Sequence, residues 1–175
     1  RAMAENDFEQ IPDLAHVAAC SRYLASLLRR KNHFQWLWVQ GHLKRSYPLT
    51  ELYKDLRAQA ETCSSLARLG QVFRDFKQRH FLRIGSRDYL NLSDFKQCTA
   101  GLSDLAEVCL QVGYDWLAKN PERWSRSELS KGECAARLSD FVILGMGKLG
   151  GRELNYVSDI DLLFLQSARD PARRP

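Results

Sequence analysis

The sequence predicts a mainly α-helical protein in which a helical amino-terminal region is followed by the start of an α+β unit. Two observations support this fold class. Apolar residues recur at steps of three and four through residues 14–117, which is the spacing of buried helix faces. After residue 140 the pattern changes to short continuous apolar runs beside glycines, which is typical of buried strands.

Composition narrows the class of protein. With 175 residues, 45% of them apolar, the chain is long enough for one domain plus a piece of another. It has no apolar run of about 18 residues and no apolar signal stretch at its start, so we expect a cytoplasmic protein without a membrane partner. The net charge of +5 is too mild to indicate a nucleic-acid partner.

The cysteines and histidines show no metal-ligand or disulfide spacing. They are Cys20, Cys63, Cys98, Cys109, Cys134, His16, His33, His42 and His80. We therefore expect reduced, buried thiols and no zinc site.

The first two predicted helices lie before residue 44. Residues 14–30 place their apolar side chains on one helical face, and Pro12 forms the start of this helix. Residues 34–43 predict a short second helix. Its tryptophans, Trp36 and Trp38, are expected to be core anchors.

Two longer helices follow. Thr50 is expected to cap a helix whose apolar spacing continues to Ile84, with Gly70 as a candidate break or kink. Ser93 is the expected N-cap of the last helix, which extends to residue 117.

The helical pattern ends in a polar stretch at residues 120–140, which contains Pro121, several serines and alternating charges. This composition predicts a linker, with a boundary near residue 138. We therefore expect a helical region and linker at residues 1–138 and the opening part of a second domain at residues 139–175.

Residues 141–165, FVILGMGKLGGRELNYVSDIDLLFL, predict a strand, a glycine-rich turn with one or two helical turns, and a second strand from about Val157. Four glycines line the turn: Gly145, Gly147, Gly150 and Gly151. Because glycine lacks a Cβ, backbone N–H groups can approach a phosphate closely. A helix starting near Lys148 would direct its positive end at the same anion, and the lysine would add a point charge.

Asp159 and Asp161 are two residues apart on the predicted second strand, so both side chains project from one face, with Cα atoms about 6 to 7 Å apart. Mg²⁺ prefers carboxylate and phosphate oxygens. Two ions about 3.5 to 4 Å apart can hold the attacking and the leaving oxygen of a phosphoryl transfer. The pattern predicts a magnesium-dependent nucleotidyl-transfer site with these two carboxylates as metal ligands.

This segment has three other interpretations. The first three glycines also match a dinucleotide-binding fingerprint, but a crossover to a parallel strand needs about 10 to 12 residues, and only residues 151–156 are available. A Walker A loop is excluded because Val142 and Leu149 occupy the positions of its glycine and its Ser or Thr. The remaining alternative is structural: solvated aspartates on an edge strand, and glycines that only make a turn.

The strand, glycine turn and Asp-x-Asp resemble the nucleotidyltransferase superfamily that includes DNA polymerase beta. The longer segment GMGKLGGRELNYVSDIDLLFL closely resembles the bacterial glutamine synthetase adenylyltransferase, or adenylyl-removing enzyme, family. A second resemblance to this family lies in VFRDFKQRHFLRIGSRDYL at residues 72–90. Together these segments and the helices around them cover most of the chain from about residue 50.

The resemblance implies an α+β nucleotidyltransferase domain in a larger enzyme with two related halves. One half attaches AMP to a tyrosine of glutamine synthetase, and the other removes it by phosphorolysis. Met146 and residues 153–155 resemble the amino-terminal, deadenylylating half. The resemblance further implies Mg²⁺, ATP or ADP, and inorganic phosphate as cofactor and substrates, with glutamine synthetase and a PII-type nitrogen-signalling protein as partners.

Carried over by motif position, the four glycines line the phosphate with Lys148 beside it, Ser158 supports the turn, and Asp159 and Asp161 hold Mg²⁺. The superfamily uses a third carboxylate on a later strand, and this chain stops at Pro175. We therefore expect the isolated chain neither to transfer nor to remove AMP.

Basic residues make the helix from residue 72 cationic: Arg74, Lys77, Arg79, Arg83 and Arg87. One hypothesis is that this helix borders the nucleotide or an anionic partner. The other is a solvated face that pairs with neighbouring acids. Charge reversal at Arg83 would weaken partner binding under the first hypothesis and change little under the second.

Three functions follow from these observations. The favoured one is removal of AMP from adenylylated glutamine synthetase. The second is the opposite half-reaction, transfer of AMP from ATP to a tyrosine. The third is a non-catalytic regulatory or interaction module whose helical part docks a protein partner.

Overall fold

The structure is a computed structural model that describes residues 7–123 and 140–166. Its helices are α1 Pro12–Cys20, α2 Arg22–Leu28, α3 Lys31–Phe34, α4 Leu49–Glu61, α5 Leu66–Tyr89, α6 Phe95–Lys119 and α7 Gly147–Gly150. A π-helical turn covers Gln35–Val39, and 3₁₀ turns cover Asp7–Gln10, His42–Lys44 and Pro121–Arg123. The strands β1 Phe141–Gly145 and β2 Leu162–Gln166 form an antiparallel pair. The mainly α prediction is confirmed.

The first predicted helix starts at Pro12 as expected but is not continuous. Ser21 has an extended backbone, and its Oγ accepts a hydrogen bond from the Leu24 N–H at 3.3 Å. A serine that caps a new helix in this way ends the preceding one. The prediction of one helix over residues 14–30 is therefore wrong, and α1 and α2 meet at Ser21.

The tryptophan segment is also divided. Its short helix begins earlier than predicted, continues as the π-helical turn, and then reverses at Gly41, which has a left-handed φ of 77°. Trp36 is buried, and Trp38 is partly buried against the same cluster. Their predicted role as core anchors is confirmed.

The break between the two long helices lies elsewhere than predicted. Thr50 is not a cap, because α4 already begins at Leu49 behind Pro48. The chain turns at Thr62–Ser65, where the Oγ of Ser65 accepts a hydrogen bond from the Arg68 N–H and starts α5. Gly70 lies inside α5, so it neither breaks nor terminates the helix.

Helix α6 is capped one residue later than predicted. Asp94 accepts a hydrogen bond from the Gln97 N–H at 2.7 Å, and the Gln97 side chain accepts one from the Asp94 N–H at 3.1 Å. This reciprocal capping box satisfies two N–H groups of the first turn. Ser93 instead lies beside Cys98, with an Oγ to Sγ distance of 3.2 Å.

Three buried apolar clusters hold the described part together. The first joins α1, α2 and the tryptophan segment to Leu82 of α5. The second joins α4, α5 and α6 around Phe76. The third lies where α5 meets α6, at Ile84, and it includes Leu149 and Leu154 from the region after β1. Helix α5 therefore contributes to all three clusters, and the glycine-rich region is anchored on the helical part.

The basic residues of α5 have different surroundings. Arg74 and Lys77 are exposed. Arg79 forms an ion pair with Asp75, at 3.2 Å. Arg83, in contrast, is buried. The solvated-face interpretation is wrong for Arg83, and charge reversal there would disrupt the core instead of reporting on partner binding.

Cys63 and Cys98 are buried, as predicted, whereas Cys20 is exposed at the end of α1, so the prediction of a buried thiol is wrong there. Cys134, residues 124–139 of the predicted linker and the boundary near residue 138 lie outside the described residues. None of the described helices combines the length and apolar composition needed to cross a membrane.

Candidate phosphate and metal site

The predicted strand, glycine turn and second strand are present at residues 141–166. β1 and β2 pair antiparallel with Gly145 opposite Leu162. The pairing continues one step further, because the Met146 N–H donates to the Asp161 carbonyl at 2.9 Å. An antiparallel pair needs no crossover, so the topology differs from the parallel strand pair of a dinucleotide-binding unit.

The second strand begins five residues later than predicted. Val157 N–H and Ser158 Oγ both donate to Asn155 Oδ1, at 3.1 and 2.8 Å, and the Asn155 N–H donates to Ser158 Oγ at 3.2 Å. Asparagine side chains bonded to the following backbone make a turn that competes with sheet pairing. Asp159 and Asp161 therefore precede β2, and the prediction that they lie on the strand is wrong.

The glycine turn is tightly packed, and its glycines have different roles. Gly147 has a left-handed φ of 54°, which favours glycine. A Cβ on Gly150 would lie 2.6 Å from the Gly145 carbonyl oxygen, and a Cβ on Gly145 would lie 2.9 Å from the Leu149 side chain. A Cβ on Gly151 would meet nothing closer than 3.6 Å. Three of the four glycines are therefore required by the turn itself.

The turn also determines which backbone donors are available. The N–H groups of Gly150 and Gly151 donate to the carbonyls of Met146 and Gly147, at 3.2 and 3.0 Å. The N–H groups of Gly147 and Lys148 have no acceptor among the residues that the structure describes, and both residues are exposed. Gly147 and Lys148 therefore supply two exposed backbone donors that could reach a phosphate.

The carboxylates are placed at the same turn. Asp161 Oδ2 lies 3.3 Å from the position that a Cβ on Gly147 would occupy. Asp159 and Asp161 are both exposed, and within residues 7–123 and 140–166 neither carboxylate forms a hydrogen bond or ion pair. Unpaired carboxylate oxygens are the ligands that Mg²⁺ prefers. Their role as metal ligands stays a prediction.

Ser158 lies in the Asn155 turn and donates its hydroxyl hydrogen to Asn155 Oδ1. It supports the loop that precedes the aspartates. A direct contact of Ser158 with phosphate stays a prediction.

Sequence reasoning missed the contacts that hold this region on α6. Arg152, which has a left-handed φ of 57°, forms ion pairs with Asp104 and, at 3.0 Å, with Glu107. The Leu154 N–H donates to Ser103 Oγ at 3.3 Å. The buried serine on the apolar face of α6 was a signal for such a contact, although its partner could not be identified from the sequence.

A second anchor connects the loop to α5. The Tyr156 hydroxyl donates to Asp88 Oδ2 at 2.9 Å, and the Tyr156 ring packs edge-on against Phe81. Burial and the hydrogen bond to Asp88 raise the pKa of Tyr156. The loop that leads to Asp159 is therefore fixed at Arg152, Leu154 and Tyr156.

One face of the two-stranded sheet is apolar and exposed. The cross-strand pairs on this face are Val142 with Leu165 and Leu144 with Leu163, each residue 40 to 50% exposed. On the other face Phe141 stacks on Phe164 and on Tyr114 of α6. The sheet is thus covered by helix on one side only among the described residues.

A family model described as glutamate-ammonia ligase adenylyltransferase matches residues 11–174. The chain belongs to this family, and the resemblance noted from its motifs is confirmed.

Curated relatives carry the name bifunctional glutamine synthetase adenylyltransferase/adenylyl-removing enzyme. The one from Pseudomonas putida is 35% identical over 149 residues, which cover 85% of this chain and 15% of the relative. The one from Pseudomonas aeruginosa is 33% identical over 157 residues, with 89% and 16% covered. The one from Nitrosococcus oceani is 37% identical over 126 residues, with 71% and 13% covered. The chain thus spans about 15% of the length of the relatives it matches.

Proposed function

We propose that the chain is part of an enzyme that transfers AMP to or from glutamine synthetase, and that the glycine turn with Asp159 and Asp161 is its phosphate and metal site. The observation that supports this most directly is the position of Asp161 Oδ2 against Gly147. One turn then combines an exposed carboxylate and the Lys148 side chain with two N–H groups that have no acceptor among the described residues. Such a combination suits an anion that is bound together with a cation.

Each group has a distinct role in this proposal. Asp159 and Asp161 hold Mg²⁺, which when bound offsets the negative charge that develops on the transferring phosphoryl group. The N–H groups of Gly147 and Lys148 donate to phosphate oxygens. Because β1 and the contacts with α6 hold this backbone in place, its donors need little reorganisation during the reaction.

The favoured direction is removal of AMP. An oxygen of inorganic phosphate attacks the AMP phosphorus and the bond from phosphorus to the tyrosine oxygen breaks. ADP is released, and the tyrosine residue of glutamine synthetase regains its hydroxyl, with the proton that the attacking hydrogen phosphate loses balancing the one that the tyrosine oxygen gains. Met146 and residues 153–155 support this direction because they resemble the deadenylylating half. Addition of AMP from ATP is the second candidate, since the names of the relatives contain both activities. Glutamine synthetase as the partner, a PII-type regulator and a cytoplasmic location belong to the same proposal.

The described residues supply two carboxylates to this site, and no group of three or more His, Cys, Asp or Glu side chains that could hold a metal ion occurs among them. We propose that a third carboxylate comes from the remainder of the parent protein. The isolated chain then has no turnover.

The test measures AMP removal and AMP addition separately in the full-length parent carrying Asp159→Asn or Asp161→Asn. Loss of a group that stabilises transition-state charge typically costs about 10² to 10³ in rate. We expect AMP removal to fall by that order and AMP addition to persist, while Asp13→Asn on the exposed side of α1 changes neither. Loss of addition alone supports the second candidate. If neither reaction changes, the metal role is refuted and the non-catalytic module is favoured.

A further inference from the structure

A small cavity of about 230 Å³ lies away from the glycine turn, between the loop before α4, the second half of α5 and the first turns of α6. Its polar lining is Ser46, Tyr47, Arg83, Arg87, Ser93 and Gln97, with Asp104 also at its wall. None of the proposed phosphate or metal residues lines it. Two arginines therefore face one cavity that the proposed function does not use.

Arg83 is the more deeply placed of the two arginines. It is only 6% exposed. One of its amino groups donates to the Arg45 carbonyl at 3.1 Å, and its guanidinium lies over the Tyr47 ring at 4.8 Å. Its Nε is buried without a hydrogen-bond partner in the part of the chain that the structure describes. A buried guanidinium with an unused donor is costly unless an anion or acceptor completes its surroundings.

Arg87 adds a second positive charge without an acid to balance it. Its amino groups donate to the carbonyls of Leu43 and Leu92, at 3.1 and 2.8 Å. Within the described ranges neither Arg83 nor Arg87 forms an ion pair with a carboxylate. Asp104, the acid at the wall, already pairs with Arg152. Burial and the charge of Arg87 lower the pKa of Arg83 to about 10, so the Arg83 guanidinium is still a cation at neutral pH.

We infer that this cavity is a binding site for a small oxyanion of the inorganic phosphate class, held by Arg83 and Arg87. Guanidinium groups match the geometry of tetrahedral oxyanions. Ser46, Ser93 and Gln97 supply neutral groups that can donate to the remaining oxygens. The volume is below the roughly 300 Å³ at which pockets for larger ligands begin, so a free ion fits better than a nucleotide.

Binding would add a polar connection between three elements that already meet through the hydrogen bonds of Arg83 and Arg87. The anion would join α5 to the start of α6 and to the loop before α4. A ligand that binds only the folded state stabilises it according to its concentration and affinity. Phosphate should therefore raise the Tm of the chain in a saturable way.

The experiment follows the Tm of the 175-residue chain during a phosphate titration at neutral pH, with chloride keeping the ionic strength constant. Ser46→Asp places a carboxylate at the exposed edge of the cavity without shortening either arginine. Ser64→Asp, in the exposed turn between α4 and α5, makes the same change of charge away from the cavity. We expect saturable stabilisation in the native chain and in Ser64→Asp, and an apparent Kd at least about tenfold weaker in Ser46→Asp.

A direct readout accompanies the titration. The ¹⁵N-edited NMR signal of Arg83 Nε–Hε should shift with phosphate and follow the same Kd, because this buried donor has no hydrogen-bond partner among the described residues. No saturable rise in Tm, an equal affinity in Ser46→Asp, or an unmoved Arg83 signal would each overturn the inference.

Discussion

Gly150 and Gly151 are neighbours with opposite steric surroundings. A Cβ on Gly150 would lie 2.6 Å from the Gly145 carbonyl oxygen, which is a backbone atom and cannot rotate away. Gly151 has an ordinary helical φ of −80°, and a Cβ there would make only van der Waals contacts, the nearest at 3.6 Å. The two positions therefore test whether the turn has the close packing that brings Asp161 beside Gly147.

We predict that Gly150→Ala destabilises the chain by roughly 1 to 3 kcal/mol, because the methyl group forces the turn away from β1. Gly151→Ala should be neutral or stabilise by up to about 1 kcal/mol, since it mainly restricts the unfolded chain. Urea unfolding of the two variants measures both values. Equal stability of the two variants would contradict the close approach of α7 to β1.

At the scale of elements, α5 meets the tryptophan segment and the loop before α4 through an aromatic cluster around His80. The His80 ring packs on Phe76 at 4.4 Å and edge-on against Trp36 and Tyr47, each at 5.1 Å between ring centroids. Burial first, and then the charges of Arg83 and Arg79, lower the pKa of His80 from 6.5 to about 2. The folded protein therefore keeps this ring neutral.

This shift predicts a pH dependence of stability. Between pH 6.5 and about 2 the unfolded chain binds a proton at residue 80 that the folded chain does not bind. Stability contributed by the neutral ring is present above pH 6.5 and is lost as the pH falls, by up to about 1.4 kcal/mol per pH unit.

His80→Phe should remove this part of the slope when unfolding free energies are compared between pH 4 and pH 7. Phe76→Leu disturbs the same cluster but keeps the histidine, so it should lower stability and retain the slope. An unchanged slope in His80→Phe would show that His80 does not carry the effect.

The helix faces could be predicted from the sequence, but the helix ends could not. Apolar spacing of three and four identifies the buried side of α4, α5 and α6 because that side follows the helical period. The ends depend on single side chains that compete for backbone N–H groups, as Ser21 and Ser65 do. Thr50 and Ser93 are also residue types that commonly cap helices. The backbone path nevertheless places the N-cap of α4 at Pro48 and that of α6 at Asp94.

At the scale of the whole molecule, the sequence predicted which residues form the glycine turn and the acidic loop, but only part of their geometry. The motif identified the glycine turn and the two aspartates. The motif did not indicate that β2 begins only after the Asn155 turn. In that turn, hydrogen bonds from Val157 and Ser158 to the Asn155 side chain replace sheet pairing. Nor could it indicate the pairing of Arg152 with α6, which joins residues more than 40 positions apart in the sequence.

In the proposed site, Asp159 and Asp161 share one divalent cation beside the turn at Gly147. Mn²⁺ binding to the full-length parent, followed by electron paramagnetic resonance, tests it most directly because Mn²⁺ accepts the same oxygen ligands as Mg²⁺. We predict that Asp159→Asn and Asp161→Asn each remove one tight Mn²⁺ site, and that Asp13→Asn removes none. An unchanged number and affinity of Mn²⁺ sites in both variants would contradict the account.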